Sequence, residues 1–492
     1  MRSSVFSVTT TLVVALCGLP LAAALRANES PPAVHSDAPE TIELTVAKAR
    51  EPRPALKYRL LPVPSERTPG NAATYYYRAI VQQKMLPPDY WKQHADRSEA
   101  WLTKDAAKYP KDEVEKWLAT QAAVLAQLKI AVYRERCDWD LRIGDLRGME
   151  VISFLLAEFQ ELRTLASTLQ LQAHHQIMTG REEDALETLS RGYQLAQDAG
   201  RPPFLIGGLI GIAITNMMNQ ELTFLIEHSS HNYYWALAAL PERLIDLRPA
   251  MQMEMNMPRQ IFPFLQDAET STRSPEEWRR LIVECMRGLE ALGGAREYND
   301  WQAELLAAAL AAKFYSTAKN ELIAAGLERE KVEAMPVGQV IAIQTARGTD
   351  YAFQEIFKTS LLPYHQASRR LTETENRLIQ EGYLGPGFRT LQGIPIANLL
   401  LPAVAKVVQA ETRAARDMAA LRAIEALRMH AAASGELPAS LADVSIVPVP
   451  VNPATGEPFH YQLDSATGAA TLDLPALGDG RNARRYVIKL KK

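Results

Sequence analysis

Two adjacent histidines, His174 and His175, are the residues whose type most directly suggests metal chemistry, because imidazole nitrogen is a common metal ligand. Their spacing argues against a shared ion. Successive side chains on a helix point about 100° apart, so these two rings cannot converge as an i, i+4 pair can. The positions three or four residues away carry no carboxylate, thiol or imidazole. We therefore interpret the pair as polar residues beside an apolar helix face, with His175 directed largely to solvent.

A run of alternating methionines offers a second kind of metal chemistry. Thioether sulfur suits Cu(I), and in an extended chain all four side chains of the run would line one side. In a helix the first and third would face one way, and the second and fourth another. Methionine also fills irregular cores, which we take as the main interpretation, with a Cu(I) site as the alternative. The run consists of Met251, Met253, Met255 and Met257.

Two further patterns resemble catalytic or metal sites without completing one. Ser316 and Lys319 form S-x-x-K, the nucleophile motif of serine β-lactamases, but neither S-D-N nor K-T-G occurs in the chain. His228 and His231 could share a face with Glu227, yet no third ligand can be assigned. The sequence also lacks G-x-S-x-G, H-E-x-x-H, a Walker loop and a Rossmann fingerprint. No catalytic residue and no cofactor is therefore assigned.

The elements that would position these residues are predominantly helical. Apolar residues recur at spacings of three and four from residue 72 to about 432, and short β-rich runs occur only in the last sixty residues. The sequence predicts a mainly α fold, a helical-hairpin, repeat-like body with a small C-terminal β module. One hairpin turns at Gly180, between helices expected at 150–179 and 182–198. The apolar run 204–225 is expected to be a buried core helix.

The N-terminal residues match an export signal. Arg2 supplies a positive charge, Val5–Leu16 is apolar, and Ala22–Ala24 fits a small-residue cleavage site. The chain is thus expected to be periplasmic or secreted, with an uncleaved membrane anchor at 5–25 as the alternative. The predicted organisation follows from these features and has four parts: signal peptide 1–24, Pro/Ala-rich linker or arm 25–70, helical body 71–402, and helix plus small β module 403–492.

Charge and cysteine content exclude several classes of protein. With 54 basic and 57 acidic residues the net charge is -3, which argues against nucleic-acid binding. The basic residues at the C-terminal end are interpreted as a solvated tail, with a weak surface-binding patch as the alternative. Cys137 and Cys285 remain after signal cleavage, and either one bridge or two separate thiols is compatible with the sequence.

Several segments carry resemblances to known proteins. Near the N-terminus these are A-L-K-Y-R-L-L-P at 55–62 and P-G-N-A-A at 69–73. Near the C-terminus they are G-E-L-P-A-S-L at 435–441, V-P-V-P at 447–450, and T-G-E-P-F at 455–459. Together they resemble uncharacterised exported proteins of planctomycete bacteria, and this resemblance implies export but no activity. The hairpin of about 166–198 also resembles one tetratricopeptide unit, and the tail looks like the C-terminal part of pseudopilin-type proteins.

The function that these observations favour is an exported, non-enzymatic helical scaffold or interaction protein. Its partner would be an unknown protein or envelope component, with membrane contact only through an uncleaved anchor. The alternative is a cell-envelope hydrolase whose carboxylates are too scattered to recognise, and Cu(I) binding through the methionine run is a minor alternative. In the tail, strand alternation predicts Phe459 and Tyr461 on one face and His460 on the other.

Overall fold

A computed structural model describes residues 39–87, 97, 100–141, 150–293, 299–383, 394, 396–477 and 483–491. The predicted signal peptide, 1–24, lies outside the described residues. The mainly α prediction is confirmed, because the chain is 61% helical and the described part contains fifteen α-helices with a small sheet near the C-terminus.

The elements follow one another in this order along the chain. The helices are α1 (Ala72–Lys84), α2 (Lys111–Thr120), α3 (Ala122–Ala131), α4 (Glu150–Met178), α5 (Glu182–Gly200), α6 (Leu205–His228), α7 (Tyr234–Ala238), α8 (Arg248–Glu254), α9 (Met257–Ile261), α10 (Pro275–Gly293), α11 (Asp300–Ala324), α12 (Arg329–Ala334), α13 (Val337–Ser360), α14 (Tyr364–Gln380) and α15 (Ile396–Ser434). The strands are β1 (Glu40–Val46), β2 (Thr68–Asn71), β3 (Arg134–Arg136), β4 (His460–Asp464), β5 (Ala469–Leu474) and β6 (Arg484–Leu490).

Helices α4, α5 and α6 pack together and form the centre of the molecule. Gly180 has a φ of +72° and ends the turn between α4 and α5, as the sequence predicts. Close approach of α6 requires a glycine at 211, because a Cβ there would lie 2.7 Å from the Ala196 carbonyl oxygen. The predicted hairpin is therefore present, while its likeness to a tetratricopeptide unit stays a prediction.

Helix α6 is apolar on nearly all sides. Within the described part of the chain it is the one helix long and apolar enough to cross a membrane, and 78% of its most apolar window is buried inside the protein. The prediction of a buried core helix for residues 204–225 is therefore confirmed. The surface of α6 is covered by α4, α5 and the long helix α15.

The C-terminal sheet includes a strand from the other end of the described chain. Its strand order is β1-β6-β5-β4, and β1 runs parallel to β6 in a register that pairs Glu40 with Arg484 and Val46 with Leu490. Part of the stretch 25–70, predicted as a linker or arm, thus belongs to this sheet. The basic residues of β6 are paired with acids, including Arg485 with Asp473 at 2.6 Å. This strand is therefore not a free basic tail.

The predicted orientation of the tail residues is confirmed. Phe459 is 4% exposed, whereas the side chain of His460 is 71% exposed and lies 2.9 Å from Asp473. Tyr461 is half-buried, and its hydroxyl donates to the Pro438 carbonyl oxygen at 2.8 Å. The alternation of inward and outward side chains through these three positions is what an extended strand imposes.

A small hydrophobic cluster stands apart from the main core. It consists of Trp101, Val114 and Trp117, together with Leu171 from α4. We call residues 100–120, which supply all of it except Leu171, the tryptophan lobe. The lobe ends at Gln121, whose φ of -88° and ψ of 3° interrupt the helical path between α2 and α3. Beyond this break, α3 contributes its apolar residues to the main core instead.

Candidate functional site

His174 is buried and engaged through both of its ring nitrogens. It is 2% exposed, and its Nδ1 lies 2.9 Å from Oε2 of Glu221 on α6. Its Nε2 lies 3.0 Å from the carbonyl oxygen of Thr103 in the tryptophan lobe. The imidazole also stacks on the Phe224 ring, with centroids 4.7 Å apart and an interplanar angle of 9°. His174 therefore bridges α4, α6 and the tryptophan lobe.

The prediction that His175 points largely to solvent is wrong, because this residue is only 3% exposed. Its Nδ1 lies 2.8 Å from the Tyr109 hydroxyl, and its Nε2 lies 3.5 Å from Oε1 of Glu115. Both partners belong to the tryptophan lobe, which covers the side of α4 that an isolated helix would expose. The physical reason for the error is thus a long-range contact that helix periodicity does not report.

Further polar side chains complete the histidine pair's surroundings. Gln170, one turn before His174, donates from Nε2 to Oε1 of Glu221 at 3.1 Å. The same amide lies 3.3 Å from Oε1 of Gln220. Glu221 is 4% exposed, and these contacts satisfy both of its carboxylate oxygens. The cluster is therefore a network of hydrogen bonds around a buried centre, with Glu115 and Gln220 as exposed members.

This network does not offer a metal site. Each ring nitrogen of His174 already has a protein partner, so neither presents a lone pair to an ion. Among the residues that the structure describes, no group of three or more His, Cys, Asp or Glu side chains could hold a metal ion. What the arrangement does is to join α4, α6 and the tryptophan lobe through hydrogen bonds to the two imidazole rings.

The methionine run lies on two short helices and not on an extended strand. Met251 is 3% exposed and belongs to α8, while Met257 is 6% exposed and begins α9. Met253 and Met255 are half-buried and pack against the main core. The extended arrangement that would align four sulfur atoms on one side is not formed. The placement agrees with core filling, and Cu(I) binding stays a prediction.

The structure does not assemble the S-x-x-K residues into a catalytic site. Ser316 is exposed on α11, and Lys319 Nζ lies 2.9 Å from Oε1 of Glu333, so the lysine is engaged as a surface ion pair. At the end of α6, His228 is exposed and donates from Nδ1 to the Phe224 carbonyl oxygen. His231 instead packs over the Tyr58 ring, with centroids 5.2 Å apart. Ser316 and Lys319 are therefore not arranged as nucleophile and base, and His228 and His231 do not converge on one ion.

A buried ion pair that the sequence analysis did not single out joins three parts of the chain. Arg428 and Glu425 on α15 are both fully buried and lie 2.6 Å apart. Arg428 also donates to the carbonyl oxygens of Ser229 and Ala47, and Glu425 accepts from the Tyr233 backbone amide. The sequence signal that could have revealed this pair is a glutamate and an arginine three residues apart in a largely apolar helix segment. That spacing places both side chains on one face of the helix.

The buried acids are dispersed. Burial raises the pKa of Asp198 and Glu411, and it raises that of Glu254 to about 7. Each acid is held by a different partner: Asp198 by the Tyr76 hydroxyl, Glu221 by His174, Glu254 by the Leu205 amide, Glu411 by the Leu247 amide and Glu425 by Arg428. A cavity beside Glu411 has a volume of about 10 Å³, which is room for one water molecule. These described acids therefore form no shared cleft.

The two cysteines outside the predicted signal peptide are separate thiols. Cys137 is half-buried beside the start of α1, and Cys285 is buried on α10. Burial raises the pKa of both thiols well above the ordinary range, so neither is an activated nucleophile. The alternative of a bridge between them is not what the structure contains.

Comparison with known proteins finds no matching family, no matching curated protein and no matching solved structure. The class that the geometry itself defines is a mainly α protein with a small sheet near the C-terminus.

Proposed function

We propose that the protein is an exported, non-enzymatic helical scaffold or interaction protein, acting on an unknown protein or envelope component. The observation that carries the proposal is that the histidine pair, the dispersed buried acids and the Glu425–Arg428 pair are each engaged by contacts within the chain. An active site needs groups that are held in place yet open to a substrate. In the described part of the molecule, the histidine pair and the Glu425–Arg428 pair are held in place but closed.

The surface that best fits such a role lies on α11. Trp301 is 62% exposed and Leu305, one turn further on, is 61% exposed. Ala308 and Ala312 continue the exposed stripe along the same face. The opposite face of α11 is buried in the core, so this helix is apolar on two sides. An exposed tryptophan is typical of an interface anchor, because its side chain buries much area on binding, and here it lies in a contiguous exposed apolar stripe.

Export is part of the proposal and rests on the N-terminal sequence alone. The charged, apolar and small-residue parts of 1–24 are those of a signal peptide. The absence of any C-x-x-C and the presence of only two thiols beyond residue 24 are compatible with an oxidising compartment.

The test compares capture by the mature protein and by two matched variants. Tagged wild type, Trp301→Ala/Leu305→Ala, and Ile446→Ala/Val451→Ala are each cross-linked to isolated cell envelopes of the source cells. The second variant is the control, because Ile446 and Val451 are also exposed apolar residues, at 46% and 52%. We expect the α11 variant to lose a cross-linked partner by at least tenfold, and the control to retain it.

Two outcomes would contradict the proposal. Equal capture by the wild type and the α11 variant would show that the stripe is not an interface. Release of soluble fragments from envelope material by the purified protein would favour the hydrolase alternative. In that case Glu254 would be the first acid to replace, because its pKa of about 7 suits acid–base chemistry.

A further inference from the structure

We propose that His174 and His175 form an acid-sensitive latch, which holds the tryptophan lobe on helices α4 and α6 at neutral pH and releases it on acidification. This inference concerns the conformation of the chain and stands apart from the identity of any partner. It rests on the lobe's separate hydrophobic cluster, on the hydrogen bonds that both histidines make to the lobe, and on the charges around them.

The lobe is built to move as a unit. Among the residues that the structure describes, its hydrophobic cluster shares Leu171 with the body, and the rings of Trp101 and Trp117 pack together with centroids 5.8 Å apart. The break at Gln121 separates α2 from α3, which is anchored in the main core. A lobe whose described hydrophobic cluster takes one residue from the body depends in part on polar contacts to stay docked.

His174 holds the lobe through a bond that needs a proton. Its two partners, the Glu221 carboxylate and the Thr103 carbonyl, are both acceptors. Both bonds form together when the imidazole carries a hydrogen on each nitrogen, or when Glu221 carries the proton and donates it to Nδ1. In either arrangement the Thr103 carbonyl oxygen accepts the N–H of Nε2.

His175 holds the lobe in its neutral form. Glu115 can only accept, so the ring hydrogen belongs on Nε2, and Nδ1 then accepts from the Tyr109 hydroxyl at 2.8 Å. Protonation would convert Nδ1 from an acceptor into a donor. The Tyr109 hydroxyl hydrogen would lose its acceptor, and a positive charge would arise on the buried His175 ring.

The surrounding charges favour release when His175 is protonated. Burial lowers the pKa of His175 below its ordinary 6.5, and Arg181, Lys111 and His174 lower it further, while Glu115 opposes them. The released lobe, with His175 in water, therefore binds more protons than the docked lobe. Docking is strongest above about pH 6.5 and weakens as the pH falls. For one proton the released population rises by up to about tenfold per pH unit.

The titratable and charged groups around the pair come from each packed element. The lobe contributes Lys104, Tyr109, Lys111 and Glu115; the turn after α4 contributes Arg181; and α6 contributes Glu221 and, beyond Phe224, His228. Of these only His228 is another histidine, and it is exposed and bonded within its own helix. His228 is therefore the matched control.

The experiment is hydrogen exchange of the whole mature protein, read by mass spectrometry between pH 7.5 and 5.0 after correction for the intrinsic pH dependence of exchange. We expect protection of residues 111–120 to fall by up to tenfold per pH unit below about 6.5, while residues 182–200 of α5 keep theirs. In His175→Gln, whose side chain is polar but does not titrate, that pH dependence should disappear. In His228→Gln it should remain.

Three results would overturn the latch. The first is wild-type protection of 111–120 that does not change with pH. The second is a parallel loss of protection in α5, which would mean global unfolding. The third is an unchanged pH dependence in His175→Gln. If that variant does not fold, the wild-type protein still tests the latch, because the latch requires pH-dependent protection in α2 and constant protection in α5. Quenching of tryptophan fluorescence by acrylamide should rise over the same pH range, because release exposes Trp101 and Trp117.

Discussion

Replacing Arg428 by methionine should be among the most destabilising single changes in this protein. The guanidinium is fully buried, lies 2.6 Å from Glu425, and donates to the carbonyl oxygens of Ala47 and Ser229. Methionine keeps much of the side-chain volume and removes every donor. Breaking a buried ion pair from one side costs about 3–5 kcal/mol, because the remaining charge loses its compensation. We expect the free energy of unfolding to fall by about that amount.

The assay is urea unfolding at pH 7.5, followed by far-UV circular dichroism, on four versions of the mature chain. Glu425→Leu/Arg428→Met removes both charges and should recover about 2 kcal/mol or more relative to Arg428→Met, since no charge is left unpaired. Lys406→Met is the control, an exposed cation on the same helix, and should change stability by less than about 0.5 kcal/mol. A cost below about 1 kcal/mol for Arg428→Met, or a double variant less stable than it, would refute the reasoning.

Three further predictions concern other parts of the molecule. Glu254→Gln should leave stability nearly unchanged at pH 5 and raise it at pH 8 by up to about 3 kcal/mol. The folded-state pKa of Glu254, about 7, lies above the ordinary 4.5, so the wild type loses stability as pH rises through that range. Melting temperatures of both proteins at pH 5 and pH 8 test this prediction. Phe459→Ala should lower the free energy of unfolding by about 3 kcal/mol, and His460→Ala should lower it by less than about 1 kcal/mol. A larger loss for His460→Ala than for Phe459→Ala would contradict the buried position of Phe459. Gly211→Ala should cost about 1–3 kcal/mol in urea unfolding, because its Cβ would lie 2.7 Å from the Ala196 carbonyl oxygen; an unchanged midpoint would mean that α5 and α6 separate freely.

The parts of the fold that could be predicted are those whose signals are local. Gly180 ends a helix because it can adopt a positive φ, and that property is readable from one residue and its flanking apolar pattern. The same holds for Phe459 and His460, whose opposite faces follow from strand alternation alone. These features needed no knowledge of distant contacts.

The surroundings of the candidate site could not be predicted in this way. His175 is covered by Tyr109 and Glu115, which lie 66 and 60 residues earlier in the sequence, and the partners of His174 lie 71 residues before and 47 residues after it. Helix periodicity states which side of α4 is apolar, but not whether another segment covers the polar side. For this reason helix periodicity placed His175 in solvent, although the structure buries it.

The pairing of β1 with β6 has a consequence for the time course of synthesis. The two strands are 444 residues apart at Glu40 and Arg484. At ribosomal rates of about 5–20 residues per second, β1 waits roughly 20–90 s before its neighbour has been made. During that interval the backbone N–H and C=O groups of β1 cannot pair with β6. Glu40 and Glu43 then place negative charges along a sequence that is otherwise favourable for aggregation, and charged side chains are a known protection of open strand edges. The same glutamates later pair with Arg484 and Lys489, so the charges that keep the nascent strand apart from other chains afterwards bind its proper neighbour.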